Sequence, residues 1–117
     1  MFDMRKFFRS FTFAITGVRS AMQEQNFRSH LLSAMIVIIV GYFTGLSRVE
    51  WLIIIIVIAL MFALEMVNTA IERVVDLASP TIHPLAKQAK DIAAGAVLVF
   101  ALASAIIGLL IFLPKWL

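Results

Sequence analysis

The sequence has no cysteine and few charged residues. Among 117 residues there are 0 Cys, and charged residues make up 15%. Without cysteine the chain forms neither a disulfide bond nor a thiolate metal site. A soluble domain carries about a quarter of charged residues, so this chain has too little polar surface to cover itself in water. Its hydrophobic share of 62% and mean hydropathy of +1.02 predict one all-helical domain, residues 1–117, within a lipid bilayer.

Three apolar segments are candidates for transmembrane helices. Residues 51–71 are uncharged until Glu65, and residues 92–113 contain no charge at all. About 20 residues suffice to cross a ~30 Å hydrocarbon core. Residues 31–46 are shorter and contain two glycines, but they still span if His30 and Ser47 lie at the two interfaces. The sequence therefore predicts three transmembrane helices.

Residues 2–28 differ from these spans. Apolar side chains, several of them phenylalanine, recur there at helical spacing with arginine and lysine between them. This pattern predicts an amphipathic helix lying in the membrane surface, since a solvated basic arm would not carry the phenylalanines. The apolar run at residues 11–15 is too short for a secretory signal peptide. Pro80 and Pro84 predict a short loop between the second and third spans.

The positive charges indicate how the chain is oriented. Of the 10 Lys and Arg residues, all except Arg48 and Lys115 fall on the N-terminal side of the predicted topology. Because cytoplasmic segments carry an excess of these residues, the N-terminus and the loop between Arg73 and Lys90 are predicted to face the cytoplasm, where ATP is. Attraction to anionic lipid accounts for the net charge of +3, and no nucleic-acid partner is expected.

One face of the second span carries a polar stripe. At 100° per residue, Glu65, Asn68, Glu72 and Asp76 lie close together along the helix. An ionisable group at the depth of Glu65 costs ~2.5 kcal/mol or more if it faces lipid. We therefore expect Glu65 to face protein and to act as a general base on a lipid hydroxyl. The structural alternative is a carboxylate that is hydrogen-bonded between helices.

Two further carboxylates are candidate metal ligands. Glu72, nearer the interface, can keep its charge and hold a hydrated Mg²⁺ ion. Glu24, placed at the end of the surface helix, is the candidate for a second ligand. The alternative for Glu24 is an ordinary solvated carboxylate.

A second polar group opens the third span. Lys87 and Lys90 lie near the N-terminus of this helix, where both the ammonium groups and the helix dipole favour phosphate. The same lysines would also serve as simple membrane anchors. The small residues at 93–96 allow neighbouring helices to approach closely and hold Lys90 and Asp91 against them. No familiar phosphate-binding glycine loop occurs, so a nucleotide site must be of another design.

Several motifs together resemble a known family. Residues 65–76 read E-x-x-N-T-A-I-E-x-x-V-D, and residues 89–97 read A-K-D-x-x-A-G-A-V. With His83, G-V-R at 17–19 and E-x-x-F-R at 24–28, they resemble the signature of the prokaryotic diacylglycerol kinases. The resemblance covers nearly the whole chain. Residues 83–87 and 106–115 are most similar to the Gram-positive members, which are undecaprenol kinases.

This resemblance implies a homotrimer in a bacterial plasma membrane. Because only a few residues join Glu24 to the first span, its reach is limited, and we expect it to approach the Glu65 stripe of a neighbouring chain, which predicts shared active sites. The resemblance also implies that Glu65 is the catalytic base and that Glu24 and Glu72 bind the metal. The other residues that it implies in the site are ATP-binding Lys90 and Asp91, peripheral nucleotide contacts Arg5 and His83, and supporting Asn68 and Asp76. Gln88 stands where some members carry arginine, so a phosphate contact there is not implied.

The predicted function is ATP- and Mg²⁺-dependent phosphorylation of a membrane lipid alcohol. The similarity to the Gram-positive members favours undecaprenol as the acceptor. Diacylglycerol is the alternative, because neither lipid headgroup has a charge by which a site would distinguish the two. A small ion-coupled transporter is the candidate from another class, since an intramembrane glutamate also serves proton relays. The polar stripe argues against transport, because it gathers at one membrane surface. A non-catalytic adaptor would not need the stripe at all.

Overall fold

The computed structural model describes residues 1–117 as four helices without a strand. They are α1 (Met4–Ala21), α2 (Gln25–Thr44), α3 (Arg48–Ala78) and α4 (Pro84–Trp116). The helices α2, α3 and α4 are long and apolar enough to cross a membrane by length and composition. The all-helical class and the three predicted spans are confirmed.

The surface helix is shorter than the predicted 2–28. Asp3 caps its start by accepting from the backbone N–H of Arg5 at 3.0 Å, and the helix ends at Ala21. Glu24 then adopts an extended backbone and is the residue before α2, so residues 25–28 belong to the first span. The break has a physical reason: one straight helix cannot lie along the surface and also cross the bilayer. Glu24 therefore lies in the turn between α1 and α2.

A tight turn joins α2 to α3. Gly45 ends α2 with a φ of +78°, and its N–H donates to the carbonyl of Gly41. Ser47 caps α3 through a reciprocal pair of bonds, its hydroxyl accepting from Glu50 N–H while Glu50 accepts from Ser47 N–H. Such a capping box satisfies two backbone donors that the first turn would otherwise leave free. The chain thus reverses direction within residues 45–47.

The loop between α3 and α4 covers residues 79–83, as the two prolines predict. Pro84 occupies the first turn of α4, where its missing N–H costs no hydrogen bond. Helix α3 has 31 residues, about 46 Å at 1.5 Å per residue. It exceeds a ~30 Å hydrocarbon core, so part of α3 projects beyond the apolar layer together with the loop.

The bundle has two chemically different ends. The end that holds Glu24, Arg73, Asp76 and Lys90 is called the polar end below. At the opposite end, Lys115 pairs with Glu50 at 3.0 Å, and the Trp116 indole donates to Thr44 at 3.1 Å.

The buried core of the single chain is small. Its main cluster is formed by Ile54, Ile111 and Phe112, which lie toward the opposite end. Only 11 of 117 residues are buried, so most apolar side chains point outward. Lipid or further protein must cover that surface, because soluble proteins rarely expose so much.

Candidate functional site

Glu65 is the most deeply buried ionisable residue of the chain. Its carboxylate is 4% exposed, and its Oε2 lies 3.4 Å from Nε2 of His30 on α2. The side chain thus faces protein, as its depth in the span predicts. A carboxylate that is removed from water and close to a single titratable partner is a candidate for proton transfer. The role of Glu65 as a base stays a prediction.

Asn68 and Glu72 continue the polar stripe along α3. The Asn68 side-chain amide donates to Glu72 Oε1 at 3.3 Å. Asn68 is buried, and its Oδ1 has no hydrogen-bond partner. Buried polar atoms are nearly always paired, so this oxygen is open to a donor or a cation that the chain itself does not supply. The buried side of the stripe continues through Thr69.

The oxygen atoms of this stripe fit a hard cation. The Glu72 carboxylate and the unpaired Asn68 amide oxygen belong to the ligand class that Mg²⁺ prefers. Glu24 has a different partner, because its Oε1 accepts from the Arg73 guanidinium at 3.1 Å. Arg73 also donates to Ser20 at 2.6 Å, which ties the α1–α2 turn to α3 beside Glu72. No group of three acidic or histidine side chains gathers closely enough to hold a metal ion.

A polar cleft of about 330 Å³ separates the end of α3 from the start of α4. It is lined by Asp76, His83, Lys87 and Lys90 together with the loop 79–83. Lys90 pairs with Asp76 at 2.5 Å across the cleft, and Lys87 pairs with Asp91 at 2.6 Å. His83 Nδ1 accepts from the Leu85 N–H at 3.1 Å and so caps α4. Two ammonium groups and a helix N-terminus thus meet in one cleft.

The lysines of the cleft keep their charge. The hydrogen bond to Asp76 raises the pKa of Lys90, which precedes the uncharged stretch 92–113. The hydrogen bond to Asp91 raises the pKa of Lys87 in the same way. Both side chains are therefore cationic at neutral pH. When a phosphate enters the cleft, the two lysines would exchange their carboxylate partners for phosphate oxygens and would keep their protons.

The predicted residues form two groups within one chain, and Arg5 joins neither. Glu65, Asn68 and Glu72 lie along α3, while Asp76, His83, Lys90 and Asp91 belong to the cleft side. Arg5 makes no side-chain hydrogen bond or ion pair and is exposed on α1. It lies about 22 Å along that helix from Ser20, where α1 meets α3.

His30 and Arg73 are polar contacts of the site that sequence reasoning missed. In the sequence, His30 marks the start of the first span, and Arg73 is one of the cations that orient the chain. A histidine at the edge of an apolar span is itself a signal, because ionisable residues there are rarely without function. For Arg73 the sequence carries no comparable signal, because its partners Glu24 and Ser20 lie 49 and 53 positions away along the chain.

Comparison with known proteins gives consistent matches. The profile of the family described as "Prokaryotic diacylglycerol kinase" matches residues 12–112. The chain is 54% identical over 114 residues to a Bacillus subtilis protein named undecaprenol kinase, covering 97% of this chain and 93% of that protein. It is 41% identical over 107 residues to a Synechocystis diacylglycerol kinase, covering 90% of this chain and 61% of the other. A Helicobacter pylori diacylglycerol kinase is 30% identical over 96 residues, covering 81% and 75%.

Proposed function

Because the chain belongs to the prokaryotic diacylglycerol kinase family and is a lipid kinase, we propose that it transfers the γ-phosphoryl group of ATP to undecaprenol. The observation that carries the choice of lipid is the 54% identity to an undecaprenol kinase across nearly the full length of both chains. The match leaves no large insertion or missing segment in which a different acceptor site would be built.

Glu65 is the base of the proposed reaction. Its carboxylate takes the proton of the lipid hydroxyl while the hydroxyl oxygen bonds to the γ-phosphorus, and the bond to ADP breaks on the opposite side. The deep position of Glu65 suits an acceptor that stays in the bilayer, because the hydroxyl then meets the base without leaving the membrane. Asn68 and Asp76 support the site from the same face of α3.

The polar cleft is the proposed nucleotide site. Lys90 and the N-terminus of α4 offer positive charge to the phosphates, Asp91 orients Lys87, and Arg5 and His83 contact the nucleotide at its periphery. Glu72 and Glu24 are the proposed Mg²⁺ ligands, with Arg73 released from Glu24 when the ion binds. When bound, Mg²⁺ neutralises charge on the transferring phosphoryl oxygens. The excess of lysine and arginine supports the proposal that this end faces the cytoplasmic side of a bacterial plasma membrane.

We also propose that the active enzyme is a homotrimer, as the family resemblance implies. Support comes from the outward-facing apolar surface and from Asn68 Oδ1, a buried acceptor that one chain leaves unpaired. Membrane-embedded polar groups need partners from protein, because lipid offers no hydrogen bonds.

Two alternatives to undecaprenol phosphorylation are a different lipid acceptor and a transport function. Diacylglycerol is the second acceptor candidate, because relatives from Synechocystis and Helicobacter pylori carry that name. An ion-coupled transporter would need polar groups through the membrane. The region beyond Glu65 instead closes on the apolar cluster of Ile54, Ile111 and Phe112, which disfavours an ion path.

The test is phosphate transfer from radiolabelled ATP in vesicles that contain undecaprenol or diacylglycerol at equal mole fraction. The proposal expects a higher kcat/KM with undecaprenol. A higher kcat/KM with diacylglycerol would establish the alternative acceptor, and transfer to neither lipid would refute the kinase assignment. The assay requires only the purified chain, ATP, Mg²⁺ and lipid.

Glu65→Gln is the matched control, since it keeps the shape of the side chain and removes the base. We expect turnover to fall by at least ~10²-fold, the low end for loss of a general base. ATP binding, measured by the change in melting temperature on adding nucleotide, should persist. Near wild-type turnover in this variant would remove Glu65 from the proposed role.

A further inference from the structure

His30 is the one polar partner that the chain gives to Glu65. The Nε2 of His30 lies 3.4 Å from Glu65 Oε2, long for a hydrogen bond but close for a charged pair. Catalytic contacts are often long before substrate binds and shorten in the complex. No backbone or side-chain hydrogen bond to the Glu65 carboxylate accompanies this contact.

The other charged groups of the surrounding helices either have different partners or, like Arg28 on α2, are exposed. From α4, Lys90 pairs with Asp76 and Lys87 with Asp91. Arg73, where α3 meets α1, is held by Glu24 and Ser20. On α3 itself, Glu72 accepts from Asn68. Within the chain, His30 is thus the one titratable side chain that contacts the Glu65 carboxylate.

The surroundings of His30 restrict its ring. His30 borders a largely apolar cleft between α2 and α3 whose lining includes Ser33, Met61 and Phe62. The Phe62 ring also packs against the Phe27 ring at a tilt of 41°, with centroids 5.0 Å apart. The imidazole is 25% exposed against 4% for the carboxylate. One edge of the ring therefore meets Glu65, while the rest retains access to the cleft and to protons.

We propose that His30 is the positioning residue of the base: its Nε2 donates to Glu65, which keeps the carboxylate ionised and fixes its direction. The inference rests on the proposed base role of Glu65. A buried carboxylate without a donor favours its protonated form, and a protonated Glu65 takes no proton from a lipid hydroxyl. His30 thus acts on the reaction through Glu65 and does not itself touch the reacting atoms.

Substitutions of His30 should change the pH dependence of kcat. In His30→Leu the carboxylate loses its donor, so a higher pH is needed to ionise it. The acid limb of the pH dependence of kcat moves to higher pH, by about one unit, and kcat at a fixed pH on that limb falls about tenfold. In His30→Gln the side-chain amide still donates, so the shift is smaller and much of kcat returns. KM for ATP stays at the wild-type value in both variants.

The experiment compares the pH dependence of kcat for wild type, His30→Leu and His30→Gln, with the lipid that the wild type phosphorylates best. Ser33→Ala is the matched control: Ser33 lies one turn from His30 on the same cleft, and its hydroxyl donates to Ser29 of its own helix. Its profile should coincide with that of the wild type. If His30→Leu does not assemble, His30→Met removes the donor with an unbranched side chain.

A second measurement does not depend on turnover. The infrared C=O band of protonated Glu65, identified by its loss in Glu65→Gln, should titrate at higher pH in His30→Leu than in wild type. An unchanged band and an unchanged acid limb would overturn the inference. Equal loss of kcat in His30→Leu and His30→Gln without a pH shift would overturn it too. If the wild type is active and either of these results is obtained, the lipid-kinase assignment stands and only the positioning role of His30 is refuted.

Discussion

Three glutamates of the polar end differ in burial and in partner. Glu65 is buried against His30, Glu72 accepts from Asn68, and Glu24 is partly exposed and paired with Arg73. Removal from water disfavours the charged form of a carboxylate, whereas a more exposed carboxylate can bind a hydrated cation. In the proposed reaction, one residue type thus serves both proton transfer and metal binding, depending on its depth.

Glu72→Gln and Glu24→Gln should act through Mg²⁺. Each change removes one charged oxygen ligand, so the Mg²⁺ concentration for half-maximal activity should rise before the maximal rate falls. The measurement is initial rate against free Mg²⁺ at saturating ATP.

Glu50→Gln provides the control for surface charge, because Glu50 pairs with Lys115 at the opposite end and glutamine still completes the capping box. Wild-type Mg²⁺ dependence in both Glu72→Gln and Glu24→Gln would contradict the paired-ligand proposal.

The polar stripe could be predicted from the sequence because it depends on the period of one helix. Glu65, Asn68 and Glu72 need only 3.6 residues per turn to come together. The contact of His30 with Glu65 depends instead on how α2 is rotated and shifted against α3. Side-chain packing between helices sets that register, and a single sequence does not reveal it.

At the scale of the elements, the helices were predictable and one boundary was not. Long apolar runs set the three spans, and Pro80 with Pro84 set the loop. The end of α1 was missed because the apolar spacing continues past the turn, with Met22 before it and Phe27 after it. The extended backbone of Glu24 interrupts the helix without a proline or a glycine to indicate it.

Gly45→Ala should destabilise the α2–α3 turn. Gly45 has a φ of +78°, and a Cβ added there would meet open space, so the cost is backbone strain of about 1 kcal/mol. The expected result is a lower melting temperature with unchanged KM for ATP, because the turn lies at the opposite end.

Gly108→Ala is the matched control, since Gly108 lies within α4 and its added Cβ also meets open space. Its melting temperature should equal or exceed that of the wild type. Equal destabilisation by both substitutions would show that the left-handed backbone of Gly45 is not the cause.

At the scale of the whole molecule, the proposed metal site is incomplete within one chain. The metal candidates Glu24 and Glu72 have no third acidic or histidine neighbour, and Asn68 Oδ1 is unpaired. Within one chain, the contact of Glu24 with α3 is its ion pair with Arg73, the residue that follows Glu72. A neighbouring chain whose Glu24 is released from its own Arg73 would complete the ligands beside Glu72. A closed trimer places the same contact at every interface.

Mixed oligomers test whether the site is shared. Glu24→Gln and Glu65→Gln chains are assembled in equal amounts, at an Mg²⁺ concentration at which each variant alone is inactive. If Glu24 of one chain serves Glu65 of the next, random mixing leaves about one interface in four with both native residues, so about a quarter of wild-type activity returns. Co-purification through two different tags verifies the mixing. If Glu24 and Glu65 of one chain serve the same site, no chain in the mixture carries both, and verified mixed trimers stay inactive.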